Sequence, residues 1–180
     1  MTSNSVWQTV KQQQIFRALL KSFSYPGELL TSEQDEDNLI ALLAALLDSH
    51  SSICDVSGTI SAVDKMRLDC PEVTLQEARF VVALAEKPAI SSPCLGKLER
   101  PELGATIILK LSQLGSGKQT FNLEGPGVNG SRKLKLEGFN QSWLTARQRW
   151  NSSFPLGVDM ILVTSEQFCA WPRTLKVTEI

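Results

Sequence analysis

Phe80-Val81-Val82-Ala83-Leu84 is an unbroken run of β-favouring residues. A strand with one face in water alternates apolar and polar side chains, so an unbroken run suits a strand covered on both faces. Covering both faces takes other layers, and the flanking sequence supplies them. Upstream, residues 8–23 predict an amphipathic helix with Ile15, Phe16, Leu19, Leu20 and Phe23 as its apolar stripe and Arg17 and Lys21 on another face. Ser24-Tyr25-Pro26-Gly27 stops it, because proline cannot continue the hydrogen-bond ladder. Asn38 opens a segment in which Leu39 to Leu47 is apolar on every side, as in a helix packed into a domain. Ile53 to Val56 reads as a short strand, and Thr59 to Arg67 as a helix turning Ile60, Ala62, Val63 and Met66 inward.

Downstream of Gly104 the pattern changes to strands. Ala105 to Leu111 and Thr120 to Leu123 are two of them, with Gln113 to Lys118, which contains Gly115-Ser116-Gly117, predicted as the hairpin turn between them. Lys133 to Leu136 alternates like an edge strand. Asn140 to Trp150 predicts a helix with Leu144 and Ala146 apolar and Arg147 and Arg149 exposed. Val158 to Val163 and Phe168 to Trp171 are further strands. This order predicts a three-layer α/β domain with a mixed β-sheet, formed by residues 8–180 after a loose tail at 1–7.

The chain has 180 residues, 42% hydrophobic and 21% charged, enough to bury a core in one domain. Its formal charge of −1 gives no global attraction to nucleic acid or an anionic membrane. The charge is uneven, since residues 1–96 carry 7 Lys and Arg against 12 Asp and Glu, and residues 97–180 carry 11 against 7. Such asymmetry is either incidental or a pair of opposite faces used in assembly. The start of the sequence is polar, unlike a secretory signal, and the longest apolar run, Leu39–Leu47, falls well short of the about 20 residues a membrane span needs. Cys54, Cys70, Cys94 and Cys169 have no short spacings, and His50 is the single histidine. Metal sites need several such ligands close together, so the thiols read as free in a reducing, cytoplasmic setting, with no metal.

Few motifs suggest chemistry. Gly115-Ser116-Gly117-Lys118 lacks both the earlier glycine and the following Ser or Thr of a phosphate-binding loop. There is no G-x-S-x-G elbow, and a triad would depend on His50. Asp35, Glu36 and Asp37 suit a solvated helix start. Arg173, just past a strand and Pro172, suits either a bidentate anion clamp or an ion pair with Asp159 or Glu179. Arg17 carries the same two readings. Trp143, Trp150 and Trp171 mark either a partner surface or the core. Residue chemistry alone does not assemble an enzyme.

Four segments together resemble the H subunit of the bacterial carbon–phosphorus lyase complex of phosphonate metabolism. They are Phe16-Arg17-Ala18-Leu19-Leu20 with Ser24-Tyr25-Pro26-Gly27; Pro101-Glu102-Leu103-Gly104-Ala105-Thr106-Ile107-Ile108-Leu109; Leu123-Glu124-Gly125-Pro126-Gly127-Val128; and Phe154-Pro155-Leu156-Gly157-Val158-Asp159 followed by Ala170-Trp171-Pro172-Arg173-Thr174. Leu175 stands where the resemblance leads one to expect a second threonine. The resemblance implies a fold distantly like the large domain of aminotransferase-type pyridoxal-phosphate enzymes, without that cofactor. It implies an accessory subunit that works with G, I and L-type subunits to join a phosphonate to the ribose of a nucleoside triphosphate, displacing the base, before a separate Fe–S subunit breaks the C–P bond, with G, I, J and L-type subunits as its partners in the complex. It further implies a homodimer in isolation. Arg17, Arg173 and Asp159 are the candidate anion-binding or interface residues.

Overall fold

The computed structural model describes residues 6–31 and 37–180. Residues 1–5 of the expected tail, and Asp35 and Glu36, lie outside the described residues. Val6 is fully buried, and Trp7 packs beside it with the Arg67 guanidinium 5.7 Å from its ring centroid.

The run at residues 80–84 is the strand β3 (Phe80–Leu84), and it is covered on both faces. It lies in a six-stranded sheet with β1 (Leu30–Thr31), β2 (Ile53–Asp55), β4 (Thr106–Lys110), β7 (Asp159–Val163) and β8 (Gln167–Trp171). The order is β1-β8-β7-β4-β3-β2. The four strands β2, β3, β4 and β7 run parallel, while β8 and β1 are antiparallel to their neighbours, so the sheet is mixed, as expected.

Alternate residues feed two cores. Val82, Ile108, Ile161 and Val163 meet α1 (Thr9–Ser24), α2 (Asn38–Leu46) and the flanks of α3 (Ala62–Leu68). Val81, Ile107, Met160 and Trp171 face the other way, onto α4 (Ser142–Trp150) and a three-stranded antiparallel sheet. That small sheet has the order β6-β5-β9, from β5 (Gln113–Glu124), β6 (Arg132–Glu137) and β9 (Lys176–Glu179). Helices therefore cover one face of the main sheet, and a helix with a small sheet covers the other.

Local chemistry sets the boundaries. The Asp37 side chain accepts the Leu39 N–H at 3.0 Å and caps α2. Its other oxygen lies 2.8 Å from the Lys110 ammonium at the end of β4. The margin of β8 is finished by α1 rather than by a full strand. Beyond the pairs with Leu30 and Thr31, the buried Ser22 hydroxyl accepts the Ala170 N–H at 2.6 Å, and the Gly27 N–H donates to the Ala170 carbonyl. At the opposite margin, Ile53 donates to the Pro71 carbonyl and accepts from the Val73 N–H.

Several expectations need correcting. Gln113 to Lys118 is not a hairpin turn: it belongs to β5, and the strands it was expected to join lie in different sheets. Its glycines form a bulge, with Leu114 and Gln119 both set against Leu136. Val63 and Met66 are 59% and 82% exposed, because α3 is one short segment held by Ile60 and Leu68 at its two ends. Phe16 and Leu20 point outward, since α1 buries only the narrower line of Ile15, Leu19 and Ser22. Arg147 is buried, not exposed. Trp143, Trp150 and Trp171 are all core residues.

Candidate functional site

Arg173 and Asp159 come together at the start of β7. The Asp159 carboxylate accepts the Arg173 backbone N–H at 2.7 Å, its Nε at 3.2 Å and its Nη2 at 2.7 Å. Arg173 Nη1 donates to the carbonyls of Pro101 at 2.9 Å and Pro155 at 3.0 Å. Four of the five guanidinium N–H groups are thereby engaged inside the fold. Gly104 lies against this guanidinium, and a Cβ there would stand 2.3 Å from the Gly157 carbonyl oxygen. Only a residue without a side chain permits that approach.

A second junction lies between α1 and the end of β5. Gly127 has φ +80, and a Cβ on it would overlap the Ser24 carbonyl. Arg132 donates to the Pro26 carbonyl at 2.9 Å. Gly125 passes close to Thr174 and Leu175, which links this junction to the first. Leu175 is 3% exposed and sits in the core. All four sequence segments singled out above thus meet one another in space.

Arg17 does not join them. It is exposed on α1, across the main sheet from α4, and makes no ion pair among the described residues. The expected partner for Arg173 is Asp159 rather than Glu179, which lies at the end of β9.

Arg147 is the residue that sequence reading misplaced. It is 3% exposed, donates from Nη2 to the Pro172 carbonyl at 2.6 Å, and has no partner for Nε. Burial pushes its pKa down to about 10, against the pull of Asp159, so it stays charged at neutral pH. The signal was present: Trp143, Arg147 and Trp150 follow the i, i+4, i+7 spacing of one buried helix face.

Arg149 lies elsewhere on α4. Two adjoining depressions, of about 350 and 490 Å³, flank it. One runs past Ala89, Ile90, Thr145 and Ala146, the other past Pro93, Leu95 and Trp150, and Ser91 and Arg149 line both. His50 is in an exposed turn, where its backbone N–H and the Ser51 hydroxyl are held by Asp48. The four cysteines are free thiols, and no three metal-ligating residues cluster among the described residues. Desolvation raises the pKa of Cys54, Cys70 and Cys169.

The family model of the bacterial phosphonate metabolism protein (PhnH) matches residues 4–178. The chain belongs to the PhnH family. It is 36% identical over 173 residues, 96% of this chain and 88% of the relative, to the putative C-P lyase subunit protein HtxG of Stutzerimonas stutzeri. It is 28% identical over 108 residues, 58% of this chain and 52% of the relative, to the PhnH subunit of alpha-D-ribose 1-methylphosphonate 5-triphosphate synthase of Rhizobium meliloti (strain 1021). The resemblance carried by the four segments is therefore a PhnH-family relationship, and in this chain those segments build the two linked junctions. No described helix is long and apolar enough to cross a membrane.

Proposed function

We propose that this chain is an accessory subunit of a cytoplasmic carbon–phosphorus lyase core complex. In this reading it supports formation of ribose 1-phosphonate 5-triphosphate from a nucleoside triphosphate and a phosphonate, alongside G, I, J and L-type subunits, and forms a homodimer when isolated. A distant likeness to the aminotransferase large domain, with no pyridoxal phosphate bound, goes with it. One observation carries the accessory role: the segments most like the family build two linked junctions, and at one of them the polar groups of Arg173 and Asp159 are spent on one another and on the carbonyls of Pro101 and Pro155. A guanidinium so engaged braces loops and has one N–H left for an incoming anion.

The test is reconstitution. The complex is purified with and without this chain, and release of base from ATP with methylphosphonate is followed. The isolated chain should give no turnover, and omitting it should impair assembly and product formation together. Turnover by the chain alone refutes the proposal. A second reading has Arg17 and Arg173 holding triphosphate or phosphonate. It predicts that Arg173→Ala abolishes activity while leaving fold and assembly intact, whereas the bracing role predicts loss of fold first.

A further inference from the structure

We infer that the cleft between α4 and the segment 89–95 binds the phosphate or phosphonate end of a small molecule, with Arg149 as its cation. Only the choice of ligand class rests on the proposed function; the site itself rests on geometry. The two depressions meet at Arg149 and Ser91, so one cation serves both. Ligand sites combine an apolar floor with a few converging polar groups. Ile90, Ala146, Leu95 and Trp150 supply the floor, and the exposed Ser91, Ser92 and Thr145 supply hydroxyls at the rim. None of those three hydroxyls is tied up by another group among the described residues, in contrast to Ser142, which accepts the Ala89 N–H and donates to Asn140.

The charge is one-sided. Neither residues 88–95 nor α4 contains an acid, and no carboxylate lines either depression. Arg149 has no ion pair among the described residues, so its planar fork is available to an oxyanion. A planar carboxylate would use the fork alone. A tetrahedral group with three terminal oxygens also uses the hydroxyls, and the flanking depressions leave room for the rest of the molecule.

Calorimetric titration of the full chain with methylphosphonate, ATP, adenosine and acetate tests the site. Methylphosphonate and ATP should bind saturably and one to one, while adenosine and acetate should give no saturable heat. Arg149→Ala should weaken both by at least about tenfold, as loss of a charge-assisted pair implies. Its unfolding temperature should stay within about 2 °C of the parent, as for an exposed side chain. Thr145→Val should weaken binding less, and Lys133→Ala, on the exposed side of β6, should leave it unchanged. Absence of saturable binding, wild-type binding by Arg149→Ala, or equal weakening by Lys133→Ala each overturns the site. Binding by the isolated chain is independent of assembly. A chain that binds but is dispensable in reconstitution refutes the accessory role alone, and the reverse result refutes the site alone.

Discussion

Replacing Asp159 by asparagine removes one negative charge from between two arginines and changes little else in shape. Arg173 approaches that carboxylate with three donors, and the same carboxylate acts on Arg147, which is 3% exposed and makes no ion pair among the described residues. Removing one partner of a buried pair costs about 3–5 kcal/mol, because the other charge is left without compensation. The side chains of Arg173 and Asp159 keep 14% and 21% of their exposure, so water relieves part of this and the lower end, about 3 kcal/mol, applies. For a chain of this length that lowers the unfolding temperature by about 6–12 °C. Urea titration followed by tryptophan fluorescence, with a thermal scan, measures it. Adding Arg147→Met to Asp159→Asn should recover part of the loss, since it withdraws one of the stranded cations. A cost below about 1 kcal/mol, as an exposed pair would show, refutes the argument that this network is a buried brace.

Ser22→Ala leaves the Ala170 N–H without its acceptor and should cost about 1–3 kcal/mol in urea unfolding, with α1 showing the largest gain in amide exchange. Gly104→Ala drives a methyl into the Gly157 carbonyl and should cost about 1–3 kcal/mol in urea unfolding against the parent chain, or prevent soluble expression. Burial holds the Cys169 thiol protonated well above its ordinary value of 9.0. The unfolded chain therefore releases that proton first, and stability should fall as pH rises above about 9, by up to about 1.4 kcal/mol per pH unit. Cys169→Ala should flatten that slope between about pH 8.5 and 10.5, and an unchanged slope would assign it to other groups.

How much of this was legible in the sequence differs from element to element. Residues 80–84 read correctly because a doubly covered strand writes its burial directly into composition. Helix α2 read correctly because Asp37 caps it and its apolar surface is continuous. The Gly115–Gly117 stretch misled because a bulge and a hairpin turn ask for the same residues, and only the separate pairing of β4 and β5 tells them apart. β9 went unread because Lys176–Glu179 has a single buried residue, Val177, and becomes a strand through its pairing with β5. At the site, Arg173 with Asp159 was among the alternatives that residue chemistry allows. Arg149 stood out less, because its cleft is made with residues 89–95, which have no regular structure and no periodic pattern to reveal what they face.

The way the main sheet ends bears on how a partner chain could dock against it. Hydrogen bonds from the end of α1 occupy the margin at Ala170, and the strip at residues 71–73 occupies the margin at Ile53. What remains open on either side is shorter than the stretch an incoming strand normally zips onto. Among the described residues the large sheet therefore offers a partner little backbone template, and recognition of this face falls to side chains. Templated growth is left to β6 and β9, where the lysines of β6 discourage indiscriminate stacking.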